Sequence, residues 1–292
     1  MSDHNIISKG NKGGYVTLRF NNSGSSWLHE ANVAGETVNS MRIVNALWSA
    51  NGVADAVGSS RADMSELHQT NLVFHFRADT GITEATGVSA WLDQVSGSVT
   101  LAQGTAGAQP SYNATATVGT LANAGSMTFD GVDDTIYSTS VNIPGGPPNL
   151  IFCVLKPLAW TAQDRFFAGD RADTSSAHVC QLGTSPQVVI QLGDYNLGYI
   201  DFDIDSWALL STLWANSAST YLAKNDETPV TGDCGDTHMD TSFSLGCDDS
   251  AAGTPRNWGL VEVAELAIYD VNKTGSDLTD IKDYFNDQYG LW

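Results

Sequence analysis

The sequence predicts an all-β protein: a small N-terminal β module, then a larger β-sandwich closed by one short C-terminal helix. Three observations lead there. From residue 149 onward, short strand-like runs recur at close intervals, separated by Gly, Pro and Asp. Charge divides the chain, with six acids and five bases in residues 1–70 but 27 acids and eight bases in residues 71–292. The clearest helical period falls in residues 276–285, where Leu278, Ile281 and Phe285 form one apolar stripe.

The elements follow in order. Residues 14–20 alternate as a strand should, and after the polar cluster 21–26, Trp27 and Leu28 open a second segment. Residues 36–48 carry apolar side chains at Val38, Met41, Ile43 and Leu47, and their β-branched content leans to strand. Asn51-Gly52 is a tight-turn signal. Residues 54–69 are small and polar and are expected to form a linker, so the modules are expected at 1–70 and 71–292. The second module starts with Leu72, Phe74 and Phe76 alternating with Val73, His75 and Arg77, a strand with one aromatic face. Met127–Phe129 is expected to pair with Thr135–Tyr137 across the turn Asp130–Asp134, where Gly131 tolerates a positive φ. Further strands are expected at 149–156, 165–169, 178–183, 187–193, 211–215, 220–223, 243–246 and 259–269. In the helix, Ser276 is the expected N-cap, Asp277 suits the positive end and Gly290 stops it.

Composition narrows the function classes. The formal charge is −20 and the sequence pI about 4.3. Phosphate binding needs clustered Lys and Arg, and this chain has 13 in all, so nucleic acid is excluded as a partner. No apolar run approaches the roughly 18 residues of a membrane span. The start, Met1-Ser-Asp-His, lacks the basic-then-apolar pattern of a signal peptide, so conventional secretion is not expected. Cys153 and Cys180 sit in apolar runs and are expected to be buried thiols. Spacing leaves a Cys234–Cys247 disulfide open, and without a CxxC pair zinc is not expected.

Four segments, Trp91–Gly97, Ser126–Asp134, Val261–Asp270 and the ending Tyr289-Gly-Leu-Trp292, together resemble the concanavalin A-like (laminin G-like) jelly-roll family over residues 71–292. The resemblance implies a jelly-roll sandwich whose C-terminal helix closes one edge. That fold serves lectins, glycosidases and structural virion modules alike, so function has to come from sites. The opening run Lys9–Gly14, with Ala34-Gly-Glu-Thr-Val38 and Ala46-Leu-Trp-Ser49, is similar over residues 5–52 to the N-terminal module of virion structural proteins from tailed phages of marine bacteria. This second resemblance implies a capsid decoration or head-surface protein, made in the host cytoplasm and carried on the virion surface. It would dock on the major capsid protein through Tyr15, Arg19, Phe20, Trp27 and Trp48, and a homo-oligomer, such as a trimer on local three-fold axes, would suit such a particle. The alternatives are a tail fibre or receptor-binding protein that recognises host polysaccharide, and a glycoside hydrolase.

Residues that carry chemistry are few. Glycosidases of the resembled family place two acids on one strand, and Glu262-Val-Ala-Glu265 is the nearby candidate. Residues three apart on a regular strand face opposite sides, so without a bulge Glu262 is expected to face solvent and Glu265 to make an edge contact. No catalysis is assigned to them. Asp201, Asp203 and Asp205 would share one strand face and are candidate ligands for a divalent cation. Asp130, Asp133 and Asp134, with Asp248 and Asp249, are the other oxygen-rich places, and there a tight turn is favoured over Ca²⁺. No cofactor is expected beyond such a Ca²⁺ ion. No nucleophile elbow and no phosphate loop is present. The remaining candidates are aromatic: Trp160 with Asp164, and Trp258 with Arg256 and Asn257, offer flat faces beside polar groups, as a stacked sugar ring requires. Ordinary packing is the competing role for each.

Overall fold

The computed structural model describes residues 5–12, 15–21, 28–34, 67–138, 148–161, 164–169, 177–181, 186–192, 195–215, 219–233, 242–247 and 257–292. The chain separates into two compact units, Met1–Ser60 and Arg61–Trp292. In the first, β1 (Asn5–Lys12), β2 (Tyr15–Asn21) and β3 (Leu28–Ala34) form an antiparallel meander. A bulge between Ile6 and Ser8 interrupts the β1–β2 ladder. Tyr15, Arg19 and Phe20 lie on the central strand β2. Trp27, Trp48, the strand expected at 36–48 and the Asn51-Gly52 turn lie outside the described residues.

The second unit opens with β4 (Leu72–Arg77), β5 (Ile82–Glu84), β6 (Val88–Leu92) and β7 (Thr100–Ala102). It continues through β8 (Ser111–Asn113), β9 (Ser126–Asp130), β10 (Ile136–Ser138) and β11 (Asn149–Pro157). Then come β12 (Arg165–Gly169), β13 (Ala177–Gln181), β14 (Gln187–Leu192), β15 (Tyr195–Asn196) and β16 (Ile200–Asp201). The last strands are β17 (Ala208–Trp214), β18 (Thr220–Lys224), β19 (Val230–Gly232), β20 (Phe243–Leu245) and β21 (Leu260–Tyr269), before helix α1 (Gly275–Tyr289).

These strands build two antiparallel sheets. The ten-stranded sheet runs β15-β14-β13-β12-β20-β10-β7-β6-β5, with β16 beside β14. The eight-stranded sheet runs β19-β18-β17-β11-β21-β9-β8, with β4 beside β21. Their inner faces share one core: Phe76, Phe129, Cys153, Trp214 and Leu266 come from the eight-stranded sheet, and Trp91, Leu101, Phe167, Val188 and Leu245 from the other. Burying one such side chain contributes roughly 2–3 kcal/mol. The outer face of the eight-stranded sheet is covered by α1, whose Ile281, Phe285 and Tyr289 pack on Phe152, Leu213 and Ala267. The sheets and the C-terminal helix match the all-β sandwich expected from the sequence.

Several local expectations need correction. Met127–Phe129 and Thr135–Tyr137 do not pair. β9 lies against β21 and β8 in one sheet, while β10 lies against β20 and β7 in the other. The turn between them carries the chain from sheet to sheet, because Phe129 and Ile136 reach the same core from opposite sides. On β4, Phe74 and Phe76 do face the inter-sheet core, but Leu72 packs on the helix side, after a register shift between Ile268 and Tyr269. The helix is N-capped by Thr274 rather than Ser276 and runs on to Tyr289, where Gly290 ends it at φ +59 and donates its N–H to Asn286 O (2.7 Å). The expected linker ends inside the sandwich: Leu67 is buried, Tyr269 Oη donates to His68 O (2.9 Å) and Lys273 Nζ donates to Thr70 O (2.7 Å).

Candidate functional site

Two sets of residues far apart in sequence meet at one end of the sandwich, with Leu260 between them. Leu260 pairs with Asp130 at the end of β9, and its carbonyl accepts the N–H of Leu158, just past β11 (3.0 Å). β9 and β11 flank β21 on opposite sides, so the acidic turn 130–134 lies on one side of Leu260 and residues 158–161 on the other. The start of β12 is tied to the same place, since Arg165 N–H donates to Asn257 O (2.9 Å) and Arg165 forms an isolated bridge with Trp258. Gly259 permits this approach, because a Cβ there would run into the carbonyl oxygen of Arg165. Trp160, Asp164, Asn257 and Trp258 thus share a rim with Asp130, Asp133 and Asp134. Arg256 lies outside the described residues.

The two tryptophans differ. Both are half-buried. Trp160 packs against the inter-sheet core, whereas Trp258 belongs to neither core cluster. The indole Nε1 of each is enclosed and meets no hydrogen-bond partner among the described residues. Asn257 holds φ +55, a left-handed conformation that Asn tolerates better than most residues. Asp164 is half-buried, and desolvation raises its carboxyl pKa to about 6, against the lowering effects of a Thr161 hydrogen bond and the Arg165 charge.

The acidic turn is built mainly as a turn. Asp130 Oδ1 accepts the N–H groups of Val132 (2.8 Å) and Asp133 (3.2 Å), Asp134 Oδ2 accepts that of Asp130 (3.0 Å), and Gly131 sits at φ +72. Asp134 is buried, and desolvation, followed by the charge of Asp130, raises its pKa to about 6. One carboxylate oxygen from each of Asp130, Asp133 and Asp134 can lie within 4.8 Å of the others, close enough for a shared cation. Ca²⁺ asks for roughly six to eight oxygen ligands, so these three would supply part of a shell. Asp248 and Asp249 lie outside the described residues.

The Asp201, Asp203 and Asp205 ladder does not form. β16 ends at Asp201, and Asp205 sits in a turn at φ +58. Asp201 Oδ1 accepts from Gln187 Nε2 (3.1 Å), while Asp203 points to Lys224 (3.6 Å). A strand of two residues cannot hold three alternate positions on one face. Cys153 is buried and its thiol pKa is pushed up by desolvation. Cys247 is buried with Sγ 3.1 Å from Thr135 Oγ1; Cys234 lies outside the described residues.

The paired glutamates need a larger correction. The register between β11 and β21 jumps at Ala264, so Glu265 stands opposite Val154 and Val263 opposite Leu155. This bulge puts Glu262 and Glu265 on the same face, toward α1. β21 is moreover a central strand, so Glu265 makes no edge contact. Both acids are engaged within the protein. Glu262 pairs with Lys156 (3.0 Å) and accepts from Ser126 Oγ (3.3 Å). Glu265 is fully buried; its Oε1 meets His75 Nε2 (2.6 Å) and accepts from Tyr284 Oη (2.9 Å), and its Oε2 accepts from Tyr289 Oη. An acid inside the apolar run Val261–Tyr269 was the one sequence sign of such a buried partner. Asp93 is a second such residue: buried, it accepts the N–H groups of His75 (2.9 Å), Val95 (3.0 Å) and Ser96 (2.8 Å), tying the Trp91–Gly97 loop to β4.

Known structures share this sandwich. Domain 4 of a GH43 extracellular arabinanase from Geobacillus stearothermophilus, solved with arabinotriose, superposes with TM-score 0.53 at 18% identity, over 73% of this chain and 98% of that domain. The sialidase of Trypanosoma rangeli, solved with sialic acid, gives 0.50 at 12% identity over 98% of this chain. A mutant of that sialidase with trans-sialidase activity gives 0.52 at 12% identity over 94%. The chain spans 45% and 43% of those two sialidase chains. At such identities the likeness establishes the fold. No family profile matches the sequence, and no curated protein aligns with it significantly.

The two raised aspartates predict a pH dependence. Their folded-state pKa values of about 6 lie above the ordinary 3.8, so the folded form binds these protons more tightly than the unfolded chain. The resulting stability is present below pH 4 and is lost as pH rises from about 4 to 6. Asp164 is partly solvated and counts for less than buried Asp134, so the pair is expected to cost about 3–4 kcal/mol at pH 7. A D134N/D164N variant is expected to gain stability over wild type between pH 5 and pH 7 in thermal melts. A constant difference across that range would refute the assignment.

Proposed function

We propose that the protein is a non-enzymatic virion structural protein of the capsid-decoration type. The N-terminal module docks on the major capsid protein, and the sandwich is displayed outward, where it captures glycans. The observation that carries this reading is the division into a small three-stranded unit, in the region that resembles phage virion modules, and a separate compact sandwich. The absence of chemistry is supported by Glu262 and Glu265, whose carboxylates are committed to Lys156, Ser126, His75, Tyr284 and Tyr289. Glycan capture is supported by the sugar ligands of the arabinanase domain and the sialidase that share the sandwich.

A tail fibre or receptor-binding protein is the second reading, favoured by the rim that carries Trp160 and Trp258. Quantitative mass spectrometry of purified virions separates the two. Decoration predicts hundreds of copies, near a whole-number ratio to the major capsid protein. About a dozen copies would assign the protein to the tail, and absence from the particle would overturn both readings. Docking also predicts that a chain lacking residues 1–60, which keeps Leu67 in the sandwich, no longer binds particles that lack the protein. Undiminished binding would sink the docking role.

A further inference from the structure

We propose that the rim around Leu260 is a binding site for an uncharged saccharide, with the ring of Trp258 as its stacking platform and Asp164 and Asn257 as its polar contacts. The proposal rests on the display reading and gives it a site and a ligand class.

Trp258 carries the argument. It is half-buried yet, among the described residues, belongs to neither the inter-sheet core nor the core under α1. By contrast Trp91 and Trp214 are wholly buried core residues and Trp160 packs on the same core. The backbone also holds Trp258 in place. Its neighbour Asn257 keeps a left-handed φ of +55 and receives Arg165 N–H, while Gly259 N–H is tied to Gly246 O (2.8 Å). A large flat ring on an anchored backbone is pre-organised for stacking and loses little entropy when it binds.

The surroundings select the ligand. A sugar on an aromatic platform needs neighbouring acceptors and donors for its hydroxyls. Asp164 and Asn257 are the chain neighbours of the bridged Arg165 and Trp258. Asp164 is half-buried, so its carboxyl sits on the rim and can accept a sugar hydroxyl at the surface. The same rim carries Asp130, Asp133 and Asp134, and the chain as a whole carries −20. Such a field repels carboxylated sugars, so neutral oligosaccharides are favoured over sialylated or uronic ones.

The test titrates the full chain with arabinotriose, cellotriose, maltotriose and 3′-sialyllactose, followed by tryptophan fluorescence and by protein NMR. At least one neutral trisaccharide is expected to bind saturably, and at least tenfold more tightly than sialyllactose. Trp258→Ala is expected to weaken that binding at least tenfold, and Asp164→Ala several-fold. Trp207→Ala, on the helix-side face, should leave it unchanged. Trp258 is half-buried, so its variant should melt somewhat below wild type yet fold; if it does not fold, Asp164→Ala decides. Absence of binding to every neutral sugar, stronger binding of sialyllactose, or binding that survives both rim substitutions would each overturn the site. Virion copy number is independent of these outcomes, so the site can fail while the decoration reading stands.

Discussion

Glu265→Ala is expected to destabilise the sandwich by about 3–5 kcal/mol, because it removes a buried acceptor that three side chains share. The carboxylate is fully buried and serves three side chains at once: His75 from β4, and Tyr284 and Tyr289 from α1. Its removal takes away the carboxylate that two tyrosine hydroxyls and an imidazole meet, and His75 Nδ1 has no hydrogen-bond partner among the described residues. Each buried polar group left unsatisfied costs roughly 1–3 kcal/mol. The effect should concentrate in α1, since Tyr289 also offers its carbonyl to Thr120 N–H. Glu265→Gln keeps the shape and one acceptor oxygen, so it should cost about half as much. Urea unfolding is the measurement, with a lower midpoint and an unchanged slope expected. A loss under about 1 kcal/mol for the alanine variant would show that the network contributes little to stability.

Trp91→Ala is expected to cost about 3–5 kcal/mol. The side chain is fully buried between the sheets, 5.4 Å centroid to centroid from Phe76, and its Nε1 donates to Arg77 O (2.8 Å). Alanine opens a cavity and removes one donor from that carbonyl, which still accepts Thr80 N–H (3.1 Å), whereas Trp91→Phe keeps most of the volume and should lose about half as much. The same substitution at Trp258, a half-buried ring outside both core clusters of the described residues, should cost about 1–2 kcal/mol. Thermal melts of the three variants side by side check the contrast. Comparable losses at Trp91 and Trp258 would mean that the rim ring is structural, and would count against the saccharide site.

The two tryptophans show where sequence pattern stopped being informative. Trp91 sits in a recognisable motif and Trp258 among turn residues, but nothing in their local sequence says which ring packs inward. The strands at 165–169 and 149–156 were legible nearly to the residue, because apolar content and turn punctuation are local. The turn at Asp130–Asp134 was legible as a turn, yet its role of crossing between sheets was not, since a hairpin and a crossover use the same Asp-Gly chemistry. Asp201, Asp203 and Asp205 failed for a related reason. Alternation implies a shared face only while the strand lasts, and β16 is two residues long.

Fold class, most strands, the aromatic inner face of Phe74 and Phe76, and the helix stop at Gly290 all followed from the chain alone. Each depends on periods of two or 3.6 residues, or on the conformational freedom of a single residue. The partner of each strand, the bulge at Ala264 that turns Glu262 and Glu265 to one face, and the meeting of residues 130–134, 158–161 and 257–260 around Leu260 were decided only in three dimensions. Backbone hydrogen bonds pair remote segments without regard to side-chain identity, so their register is set by how two sheets and a helix close over a common core.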